Sequence, residues 1–155
     1  MNTERHETLF CIRYAVRALE RQASLWGRLG YVLKFFSVIS GAAAVTTALS
    51  EGSAWAAASA GLLFAALQAF EVVVDPSGKA AAAIAQRRDY ARLMARQSRH
   101  SDTELEAEYQ TLVADDNIAT PMALRQAAYN DVVHELGRDP QALYPDQGWL
   151  ARLSA

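Results

Sequence analysis

At 155 residues the chain has the length of one domain, and a net charge of −2 from 15 basic and 17 acidic side chains gives no bias towards nucleic acid. The single cysteine, Cys11, can close no internal disulfide and offers no paired-thiol metal site. A mean hydropathy near zero averages three unlike stretches: a charged N-terminal segment, an apolar middle and a charged remainder.

The opening MNTERHETLFCIRYAVRALERQ is charged throughout and lacks the apolar core and small-residue cleavage site of a secretory signal. Entry into a membrane is therefore expected to use internal segments. Leu9, Ile12, Val16, Leu19, Ala23, Trp26 and Gly30 alternate spacings of three and four, which predicts a helix over 4–30 with one packing seam. Arg13, Arg17, Glu20, Arg21 and Arg28 fall off that seam, so the opposite face is expected to be solvated or near lipid headgroups. No proline separates this helix from Tyr31, so it should run on into the apolar middle, with Gly27 and Gly30 as places to bend.

Two apolar runs follow, 31–49 (YVLKFFSVISGAAAVTTAL) and 54–74 (AWAAASAGLLFAALQAFEVVV). As helices they span roughly 28 and 31 Å, close to the ~30 Å hydrocarbon core of a bilayer. Only Ser50 to Ser53 separate them, a connection suited to an antiparallel helical hairpin. That loop holds no Lys or Arg, whereas Arg21, Arg28 and Lys34 precede or open the first run and Lys79, Arg87 and Arg88 follow the second. The positive-inside rule then places both termini in the cytoplasm.

Small residues recur at spacings of four, with Ser40, Ala44 and Ala48 on the first run and Ala57, Gly61, Ala65 and Ala69 on the second. Such ridges let helices approach closely in lipid. The charged and amide residues inside the runs are Lys34, Gln68 and Glu71. Folding the hairpin symmetrically between Glu51 and Gly52 puts Lys34 level with residue 69, within about one turn of Gln68 and Glu71. These three are candidates for lining a path or for pairing between helices, because polar groups in a span usually face a bundle interior or water. The competing role for Glu71 and Lys34 is to snorkel at the interface.

At the end of the second run Asp75 is placed to cap a new helix whose first position is Pro76. Residues 77–97 are rich in helix formers, with Ile84, Ala91 and Met94 lining one face. Ser101-x-x-Glu104 reads as a capping box ahead of Leu105, Tyr109 and Leu112, and a fresh helix from Ser101 is preferred to one continuous helix. Thr120 with Pro121 should start the next helix by the same chemistry as Asp75 with Pro76. Leu124, Ala127, Ala128 and Leu136 would be its apolar face and Gly137 its stop. Residues 139–155 read as a turn-rich tail with a short amphipathic end.

The fold class expected is all-α, one domain over 1–155. Its parts are an N-terminal cytoplasmic helix at 4–30, transmembrane helices at 31–49 and 54–74, cytoplasmic helices at 76–138 and the tail at 139–155. A soluble bundle with two buried central helices is the competing fold. His6, His100 and His134 belong to no metal motif, and neither a phosphate loop nor a nucleophile elbow occurs. No metal, no cofactor, no nucleic-acid partner and no enzyme activity are expected.

The order of parts resembles the SLATT family, two-transmembrane effectors associated with SMODS and SLOG proteins. The resemblance rests on the charged first helix, the two spans with a very short loop, Arg87-Arg88-Asp89-Tyr90-Ala91-Arg92-Leu93, and the helix from Thr120-Pro121-Met122-Ala123-Leu124-Arg125-Gln126-Ala127-Ala128-Tyr129-Asn130 to Gly137. It covers roughly residues 5 to 138. It implies a homo-oligomeric effector in the bacterial inner membrane that forms a pore or disrupts the bilayer in antiphage defence. Partners implied are the lipid bilayer, further copies, and a sensor or nucleotide-signal protein. The alternatives are a membrane-anchored adaptor without a channel and a soluble interaction protein.

Overall fold

The run of helix formers from Thr3 onwards, free of proline, forms a single helix α1 over Thr3–Leu49, which Gly27 and Gly30 do not break. The N-terminal helix and the first apolar run are thus one element. The computed structural model describes residues 3–49, 53–116, 118–137 and 152–154, and it is all-helical, with no strand among them. After α1 come α2 (Ala54–Val74), α3 (Pro76–Arg96), a 3-10 turn (Gln97–Arg99), α4 (Asp102–Ala114) and α5 (Met122–Glu135). The chain divides into two compact units, Met1–Leu25 with Ala80–Ala155, and Trp26–Lys79.

The junctions follow local chemistry. Asp75 ends α2 in the left-handed region (φ 43), and its carboxylate accepts the Gly78 N–H at 2.9 Å, capping α3 behind Pro76. Gly78 leaves room for this cap, since a Cβ at that position would push the Asp75 carboxylate aside. A true break separates α3 from α4. Ser101 and Glu104 form the expected capping box, Ser101 N–H donating to Glu104 Oε2 at 2.8 Å. Gly137, at φ +61, stops α5. The start of α5 differs from expectation. Pro121 is the residue before the helix and makes no side-chain cap, while the Thr120 hydroxyl donates instead to Gln22 Oε1 at 2.9 Å. A tertiary partner has taken the group that local chemistry would have used.

The first unit is a helical bundle. Ile12, Leu93 and Leu105 form one buried cluster, joined by Leu9, Met94, Tyr109 and Leu112. Leu19, Ala83 and Tyr90 form a second, flanked by Ala15, Val16 and Ala23. Each fully buried Leu or Ile contributes roughly 1.5–3 kcal/mol. Leu124, Ala127, Ala128, Val132 and Val133 of α5 are also buried.

The structure adds to one expected face and corrects another. On α3 the buried residues are Pro76, Ala83, Tyr90 and Leu93, whereas Ile84 is exposed and Ala91 and Met94 are half-buried. An alanine-rich helix says little about its own phase, and the large Tyr90 ring, set against Tyr109 at 6.3 Å, decides it. On α1 the arginine face is not simply solvated. Arg13 and Arg17 pair with Glu135 at 3.4 and 3.1 Å, and Arg21 grips Asp131 through two hydrogen bonds of 2.6 and 2.8 Å. That face docks α5, so Ala18 and Gln22 are buried beside the predicted seam. Of the tail, Arg152 to Ser154 are described; Ser154 is buried and accepts a hydrogen bond from Arg21 at 3.3 Å. The remainder of that expectation lies outside the described residues.

Candidate functional site

The second unit carries the candidate site, and its facing surfaces follow helical spacing. On α1, Gly30, Leu33, Ser37 and Ser40 are buried, and Gly41 and Ala44 are half-buried. On α2, Ala57, Gly61, Leu67, Gln68, Glu71 and Val74 are half-buried at matching intervals. Glycine contacts set the register: Gly41 lies against the Phe64 ring, and Gly30 against Pro76 and Ser77. About two turns from the Gly41–Phe64 contact, Lys34 comes level with Glu71, and Ser37 with Gln68. The symmetric fold about Glu51 and Gly52 had set Lys34 beside residue 69; those loop residues lie outside the described set.

Being level does not bring Lys34 and Glu71 together. Lys34 is exposed on the flank of α1, Glu71 lies on the α2 face that carries Phe64, and no ion pair joins them. Gln68 and Glu71 do share one half-buried face. Opposite them the Ser37 hydroxyl is buried without a hydrogen-bond partner, while Ser40 donates to the Phe36 carbonyl of its own helix. Ser37 was not among the residues singled out. The spacing Gly30, Leu33, Ser37, Ser40, Ala44 contains the signal that would have found it.

Of the small-residue ridges, Ser40 is buried and Ala44, Ala57 and Gly61 are half-buried, whereas Ala65 and Ala69 are exposed. The side chain of Ala48 lies outside the described residues.

The outer faces of the hairpin are apolar. Phe35, Phe36, Val38, Ile39, Leu62, Leu63, Phe70, Val72 and Val73 are exposed, and Trp55 is 86% exposed. α2 has no buried residue at all. Both α1 and α2 contain stretches long and apolar enough to cross a membrane. Where α3 begins, Lys79 Nζ sits 4.6 Å from the centre of the Trp26 ring, a cation–π contact.

The first unit offers polar surfaces instead. Thr8 donates to Glu106 at 2.5 Å and Gln110 to the same carboxylate at 2.7 Å; the Gln110 bond first, then the Thr8 bond, lower the Glu106 pKa. Burial, with a smaller contribution from Asp116, pushes the Tyr90 phenol up to about 12. Among the described residues no group of three or more His, Cys, Asp or Glu could hold a metal ion. No protein-family profile, curated protein or solved structure matches the chain.

Proposed function

We propose that this chain is an integral membrane effector whose α1–α2 hairpin crosses a bacterial inner membrane with both termini in the cytoplasm. In this reading several copies assemble through their hairpins and permeabilise or disrupt the bilayer, as part of an antiphage or conflict system. The first unit receives the trigger from a sensor or nucleotide-signal partner. The supporting observation is the hairpin's outer surface. A 21-residue apolar helix without one buried residue has no solvent but lipid, or further copies of itself, that removes its side chains from water. A soluble bundle would instead have buried α2. The absence of Lys and Arg between the runs supports the orientation, and the resemblance to SLATT proteins supports the effector role.

Fractionation tests the membrane reading. The protein should pellet with membranes, resist alkaline carbonate and dissolve in detergent. Recovery in the supernatant without detergent would overturn it. A specific observation favours a second reading, an anchored adaptor without a channel. Gln68 and Glu71 lie on the α2 face that is half-buried within a single hairpin, not on its outer face. Dye release from vesicles carrying the protein separates the two. A pore lined by Glu71 predicts altered flux in Glu71→Ala with insertion retained, and an anchor predicts no flux from either protein.

A further inference from the structure

α3 and α4 carry two rows of opposite charge on either side of one groove. Arg88, Arg92 and Arg96 recur every fourth residue of α3 and all are exposed. Glu108 is exposed on α4 and Asp115 is exposed just past its end, with Thr111 between them at helical spacing. The groove, about 380 Å³, is bordered by Asp89, Arg92 and Arg96 on the α3 side and by Glu108 and Thr111 on the α4 side, with Leu93 and Leu112 also lining it; Arg88 and Asp115 lie beyond its lining. Within the chain these charges are lightly used. Arg92 reaches Asp89 at 3.1 Å, and Glu108 lies 3.8 Å from His100.

We infer that this face is a self-association surface, and that its occupant is the same face of a second copy. A cationic row beside an anionic row is self-complementary under one symmetry operation. A two-fold axis lying in the interface and parallel to the rows sets each copy's arginines over the other's carboxylates. An axis perpendicular to the rows would set like charges together. The interface lies within residues 88–115, so it holds whether or not the hairpin enters a membrane. An anionic lipid surface is the poorer occupant, because the carboxylate row would be pressed against it together with the arginines.

The symmetry gives the test. In full-length protein carrying Cys11→Ser and Thr111→Cys, the new thiol lies at the groove, near the axis and hence near its own symmetry mate. A short bismaleimide should cross-link two chains. Arg88→Glu with Arg96→Glu makes both rows acidic, and Glu108→Arg with Asp115→Arg makes both basic. Each such chain alone should lose ~tenfold or more of the cross-linking, from like-charge repulsion across the interface. Mixing the two, distinguished by tags, should restore it between unlike chains, because every row then meets its opposite. Recovery on mixing also shows that the reversed chains remain folded. The neutral pair Arg88→Gln with Arg96→Gln should fall between wild type and reversal. Cross-linking unchanged by reversal, absent in the parent, or not restored in the mixture would overturn the proposal. So would cross-linking unchanged by reversal alongside lost binding to phosphatidylserine vesicles, which would assign the arginines to lipid.

Discussion

Tyr90 is 1% exposed and packs between α1 and α4 residues, so its hydroxyl ionises from a site that disfavours charge. Its pKa is raised, and an unfolded chain therefore releases the phenolic proton first as the pH climbs. The stability contributed by the neutral phenol is complete below about pH 10 and is lost as the pH rises towards 12. Burial raises the Tyr109 phenol as well, so difference spectroscopy of tyrosinate should show two late-ionising tyrosines, one of which is lost in Tyr90→Phe. Ionisation of Tyr90 at the ordinary tyrosine value would refute its burial. Arg21 supplies a second prediction. With its fork on Asp131 and a bond to Ser154, Arg21→Ala should cost about 1–3 kcal/mol, measured by thermal unfolding of the purified protein. Arg21→Lys should recover only part, because an ammonium cannot make the two-pronged contact. An unchanged Tm in Arg21→Ala would show that α5 is not held this way. In the sequence Arg21 read as one more off-seam charge, since periodicity does not reveal which acidic residue folds back over a helix.

At the scale of elements, boundaries set by local chemistry were legible and those set by tertiary partners were not. Asp75-Pro76 and Ser101-x-x-Glu104 act within one turn, so their residues alone specify them. Thr120 has the same local competence but gives its hydroxyl to Gln22, 98 positions away. Gly78→Ala should therefore release the Asp75 cap, a loss of about 1 kcal/mol that the higher helix propensity of alanine offsets in part. Its Cβ would collide with the capping carboxylate, and Asp75 already holds a left-handed backbone conformation. Ser101→Ala should cost about 1 kcal/mol by losing the box. Hydrogen exchange at the first turns of α3 and α4 checks both. Faster exchange confined to the altered turn is expected, and no change at either would mean that the caps do not stabilise these helices.

For the whole molecule, the charge asymmetry around the two apolar runs predicts the outcome of reporter fusions. A reporter fused after Ala155 should be active only as a cytoplasmic enzyme, and one inserted at Gly52 only when exported. The reverse pattern would overturn the orientation while leaving the hairpin intact. Composition and periodicity by themselves determined that the chain is helical, where its two apolar runs lie and where its local caps stand, because each depends on residues within a turn or two of one another. The tertiary structure decided which face of α3 is inside, that the arginines of α1 hold α5, and that Ser37 rather than Lys34 sits opposite the Gln68–Glu71 face. An alanine-rich or uniformly apolar helix presents nearly equivalent faces. Its rotation and its partners are set only when large side chains, ion pairs and glycine contacts from distant segments meet it.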